Sequence, residues 1–86
     1  MTTPISGNGV AVGVVIANDD PERLGRVLVE LQAQGDMRRW ARVATPTAGQ
    51  GAGAWPPPAI GQEVVVAFEG GHIDRPIVIG VLTRSP

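Results

Sequence analysis

Few side chains in this 86-residue chain are equipped to act on a substrate or hold an ion. His72 is the only histidine, and as a general base it needs a nucleophile and an orienting group within reach. The only serines, Ser6 and Ser85, sit near the two ends. With Asp74 two residues on, His72 reads as a turn residue. Glu63 and Glu69 bracket an apolar run and lie about 20 Å apart when extended, beyond the separation at which two carboxylates share a glycosidic bond. Asp19, Asp20 and Glu22 offer oxygen ligands, but without the six spaced positions and central glycine of a calcium loop. Asp19-Asp20-Pro21 more simply starts a turn. Gly49-Gln50-Gly51-Ala52-Gly53 has the glycines of a phosphate loop but not the following Lys-Ser/Thr and helix; alanine, tryptophan and three prolines follow instead. The absence of cysteine removes disulfides, thiolate metal sites and thiol nucleophiles together. The expectation is a non-enzyme with no catalytic, cofactor or metal site.

Aromatic and basic residues carry the remaining binding chemistry. Trp40 and Trp55 would stack on bases or sugars if exposed. The simpler reading has Trp40 capping a core and Trp55 packing a long loop, and a third makes a tryptophan an anchor between subunits. Arg38, Arg39 and Arg42 form the only basic cluster, read as a solvated loop edge. A formal charge of −1 argues against a general nucleic-acid binder, and no apolar run approaches the ~20 residues of a membrane span. The N-terminus lacks the charged and apolar regions of a secretory signal, which predicts synthesis in the cytoplasm.

The elements that must position these residues are strands. Residues 9–17, 26–32, 40–44, 63–69 and 76–82 are rich in valine and isoleucine and are separated by Pro, Gly and Asp clusters. Val27, Val29 and Leu31 alternate cleanly with Arg26, Leu28 and Glu30. Gly13 suggests a bend or a close backbone approach. Residues 33–39 read as a polar loop and 45–59 as a long connection with Pro56-Pro57-Pro58, too rich in Pro and Gly for more than one helical turn. The predicted domain spans 9–83, with a lead-in at 1–8 and a tail at 84–86. Five strands with a long third connection match an oligonucleotide/oligosaccharide-binding (OB) barrel, and an SH3-like barrel has similar counts. The last two strands, around Gly70-Gly71, are apolar on both faces and so need cover on both. Curling into a barrel supplies one cover; a small domain without staples gains the other by oligomerising. Val65, Ala67, Val78 and Leu82 are the candidate outer-face residues, with Trp55 as a candidate anchor in the contact.

Five segments in order resemble a known family. They are Asp20-Pro21 with Gly25-Arg26-Val27-Leu28-Val29; Trp40-Ala41-Arg42-Val43; Ala48-Gly49 to Gly53; Pro58-Ala59-Ile60-Gly61-Gln62-Glu63-Val64-Val65-Val66-Ala67-Phe68; and Asp74-Arg75-Pro76-Ile77-Val78-Ile79-Gly80. Together they resemble the OB-fold domain of the phage baseplate assembly protein V and VgrG spike family, found in contractile tails and type VI secretion systems. Gly70-Gly71-His72-Ile73-Asp74 replaces the family's more usual Gly-Asp-Pro. The resemblance implies an all-β barrel that forms a homotrimeric collar where a hub joins a β-helical needle. Its partners would be hub and needle proteins, with no nucleic acid, and its place a virion tail or injection apparatus. No hub domain precedes residue 1 and no β-helix follows Pro86 in this sequence, so the expectation is a stand-alone collar subunit or a piece of a longer protein. The alternative is a ligand-binding barrel for single-stranded nucleic acid or oligosaccharide, using Trp40, Arg42 and the Trp55 loop.

Overall fold

The computed structural model describes residues 9–31, 37–45 and 57–83. β1 (Val10–Ala17), β2 (Val27–Leu31), β3 (Met37–Val43), β4 (Glu63–Phe68) and β5 (Pro76–Val81) close into a barrel in the order β1-β2-β3-β5-β4. This is the five-stranded Greek-key barrel of the OB fold. Valine and isoleucine dominate because their branched side chains fill a pleated surface well. β1 serves two neighbours: Val10–Val14 pair with β4, and Gly13–Ala17 pair with β2. Gly13 stands at the handover, opposite both Leu31 and Val64. A Cβ there would lie 3.0 Å from the Glu30 carbonyl oxygen and 3.2 Å from Leu31, so the close approach expected of Gly13 is real. One extra residue in each of two strands adds the bend that closure needs: Ile16 against β2 and Ile79 against β4.

Inside, Val15, Val27, Val29, Leu31, Ala41, Val64, Val66, Phe68 and Val78 form one buried cluster. β2 alternates as its sequence predicts, with Val27, Val29 and Leu31 inward. Val78 corrects an expectation: it is a core residue, 1% exposed, not an outer one. It sits opposite inward-facing Val66, while Ile77 sits opposite outward-facing Ala67. The bulge at Ile79 then shifts the parity, placing Gly80 opposite outward Val65 and Val81 opposite inward Val64. Simple alternation along 76–82 therefore misassigns the face.

β3 is a second correction. It starts at Met37 rather than Trp40, because Arg38 and Arg39 belong to the strand and Arg38 pairs across to Glu30 at 3.0 Å. Between β4 and β5, Glu69–Gly71 form a short 3-10 turn with Gly70 and Gly71 at φ 61° and 79°, a left-handed region open to glycine. His72 takes its place in this connection: its N–H donates to the Glu69 carbonyl and its own carbonyl accepts from the Arg75 N–H.

Candidate assembly interface

The outward side chains of β1, β4 and β5 make a continuous apolar surface. Across the β1–β4 ladder Val10 lies opposite Ala67 and Val12 opposite Val65; across β4–β5 Ala67 lies opposite Ile77 and Val65 opposite Gly80. Directly paired side chains in a sheet lie within contact distance of one another, so the residues form a patch rather than scattered points. Val10 is 64% exposed, Val12 40% and Ile79 49%. Val14, Val65, Ala67 and Ile77 are half-buried. The only charge registered on this ladder is Glu63, opposite Val14 at the edge of the patch. Large apolar side chains thus face out from β1, while the small Ala11 and Gly13 face in, where the barrel is tight. A surface of this kind has the chemistry of a protein contact.

Polar chemistry gathers elsewhere on the circumference, around the β1–β2 connection. Asp20 is 6% exposed. One of its carboxylate oxygens accepts from the Glu22 N–H (2.9 Å) and from Arg26 Nη2 (3.0 Å). The other accepts from the Leu24 N–H (3.1 Å), the Arg26 N–H (3.2 Å) and Arg26 Nε (2.8 Å). The Arg26 guanidinium, aided by those backbone donors and opposed by burial, holds the carboxyl well below the usual carboxylate range. Asp20 in turn raises the Arg26 pKa. The clasp fixes Arg26 with its guanidinium 5.7 Å from the centre of the Trp40 ring, within cation–π range.

Trp40 itself lies opposite Leu28 on the outside of β2–β3, half-buried beneath Arg26. It is not a cap on the core, because the register of β3 turns it outward. Arg42 bonds Glu69 at 3.1 Å. These residues, with Leu24, Asp74, Arg75 and Pro76, line a cleft of about 470 Å³ between β3 and the β4–β5 connection. Asp19, Asp20 and Glu22 do not converge on a cation site; among the described residues no group of three metal-ligating side chains is found.

Residues 11–82 match the family of the type VI secretion system/phage-baseplate injector OB domain. The chain belongs to this family. It is similar to three type VI secretion spike proteins of Pseudomonas aeruginosa: VgrG4b, 42% identical over 74% of this chain and 9% of that protein; VgrG1a, 38% over 69% and 10%; and VgrG1b, 36% over 92% and 12%. The chain spans about a tenth of the length of these curated relatives. The match takes in all but the first residue of the five strands of this injector OB domain.

Within the injector OB domain, Val65 and Ala67 do point outward, half-buried, and Leu82 lies just past β5, 40% exposed. Val78 is withdrawn from the outer face for the reason given above. Trp55 and the Gly49–Gly53 loop lie outside the described residues. Sequence reading missed Val10, Val12, Val14, Ile77 and Ile79. For β1 a signal existed: one parity carries only valine and isoleucine, and the other contains Ala11 and Gly13. A barrel interior accepts the small set, which sends the large one out.

Proposed function

We propose that this injector OB domain is a structural, non-catalytic part of a spike or baseplate, and that three copies form a collar joining a hub to a needle. The relatives bear the name of type VI secretion spike proteins, and the family is that of phage-baseplate and type VI injectors. The observation that carries the reading is the outward apolar surface of Val10, Val12, Val65, Ala67, Ile77 and Ile79. Copies of the chain are its proposed occupant, because apolar contact between copies would cover the second side of β4 and β5 without a disulfide or a metal. The mechanism is mechanical: the barrel is a rigid block, and contact around an axis sets its place in the spike. Among the described residues no helix is long and apolar enough to cross a membrane.

The test is solution mass by light scattering. Three times the 8.9 kDa protomer mass is expected. A charge in the middle of the face, Val12→Glu or Val65→Arg, should return the mass to one protomer while circular dichroism keeps its β signature. A wild-type chain that stays monomeric at millimolar concentration would sink the trimer.

A further inference from the structure

The cleft beside Trp40 lies outside the apolar face on β1, β4 and β5 and is not used by the proposed contact. The seam next to it is unusual. β3 pairs with β5 in parallel at only two positions, Arg42 opposite Ile77 and Val43 opposite Val78. The Ala44 N–H donates to the Val78 carbonyl at 2.9 Å, so even-numbered residues of β3 turn their backbone groups toward β5. Two and four residues back, Trp40 and Arg38 turn theirs the same way, because the pattern repeats every second residue. Among the described residues no strand but β2 registers with β3 there. The chain has left through the turn in which Arg75 N–H bonds the His72 carbonyl and Glu69 N–H bonds the Arg75 carbonyl. β3 and β5 thus diverge as a fork, and the cleft fills its opening. The Arg38 carbonyl at this edge accepts instead from its own neighbour, Arg39 Nη1, at 2.9 Å.

We infer that this fork is a docking site for an extended peptide of a partner protein, which adds as a short strand to β3 at Arg38–Trp40 and buries one aliphatic or aromatic side chain against Leu24, Trp40 and Pro76. Charge selects a peptide over a nucleic acid. Arg26 is paired with both Asp20 and Glu22, and Arg42 bonds Glu69. Arg75 is left beside Asp74, neither side chain with a partner among the described residues, which suits neighbouring side chains of opposite sign and not a run of phosphates. The partner segment therefore carries an apolar anchor flanked by an acidic and a basic residue. This inference stands apart from the trimer reading, since the fork is complete within one protomer.

The probe is a positional-scanning library of blocked hexapeptides, read on the isotope-labelled full chain by nuclear magnetic resonance. Anchor pools should move the Trp40 indole and the Arg38, Trp40 and Arg75 amides. The selected peptide should slow amide exchange at Arg38 and Trp40 about tenfold, as ladder bonds form. Methylating its alternate backbone nitrogens should abolish that protection. Trp40→Ala should lose binding; because that change removes the ring under Arg26, Arg75→Glu on the exposed turn is the second variant, expected to weaken binding about threefold or more and to shift selection toward basic neighbours. The inference is overturned if no pool moves these resonances at about 1 mM, if the shifts map to β1 and β4, if the methylated peptide protects equally, or if a single-stranded thymidine oligonucleotide gives the same shifts. Oligomeric mass has no bearing on any of these readouts.

Discussion

Asp20 shows how one side chain organises a loop. Five donors converge on its carboxylate, and the arginine they position shields a tryptophan. An unfolded aspartate titrates near 3.9, and the folded one lower. Above about pH 5 both states are ionised and the stabilisation is complete. As the pH falls below that, the unfolded chain takes up the proton first, and stability drops until the native carboxyl also protonates. Asp20→Asn should lower Tm by about 10 °C at pH 7 and flatten the further loss between about pH 4 and 2, as thermal melts across that window would record. The sequence announced a turn at Asp19-Asp20-Pro21 but not this clasp: an aspartate six residues from an arginine is common, and only the fold of 20–26 brings all five donors onto one carboxylate. Gly13 was legible because a lone glycine amid valines marks close approach. Gly13→Val should cost about 1–3 kcal/mol in urea unfolding, since the obstructing atom is the Glu30 carbonyl oxygen and not a yielding side-chain tip.

At the scale of elements, four strands were readable from their valines and isoleucines, and β2 even in its parity. β3 was shortened because Arg38 and Arg39 look like loop residues; Arg38 lies on the barrel's outside, where a charge costs little and finds Glu30, and half-buried Arg39, opposite Val29, donates to the Arg38 carbonyl. The Arg38–Glu30 pair is worth little in return. Arg38 is 59% exposed, so Arg38→Ala should change unfolding free energy by no more than about 0.5 kcal/mol. The outer face was half legible. Val65 and Ala67 do point outward, but a strand apolar on both sides tells only that both faces need cover and not which parity lies outside. Val78 went to the wrong side because a bulge has no letter of its own: Ile79 is as good a strand residue as its neighbours, and only pairing with β4 reveals it as extra. Deleting Ile79 should leave Gly80 opposite Val65 and Val81 opposite Val64 in a ladder without the bulge, and the barrel, having lost that bend, should melt at least about 10 °C lower by calorimetry.

For the whole molecule, the five-strand order and the family were within reach of the sequence because the turn and strand segments occur in the right succession along it. Which circumference each side chain occupies was not, because closure depends on two bulges and one strand shared between two neighbours. The trimer prediction belongs at this scale, and its Val12→Glu and Val65→Arg variants test the patch rather than the fold. The ladders that close the barrel are also unequal. β1–β4 holds five registered pairs, and the parallel junction of β3 with β5 holds two. A cylinder with one short seam comes apart there first, opening into a five-strand ribbon with two bare borders. In the trimer proposed above, a neighbour's border would be at hand to mend the gap. Concentrated protein warmed just below its melting point should therefore accumulate strand-swapped species heavier than the proposed trimer, separable by gel filtration and reversible only after full denaturation.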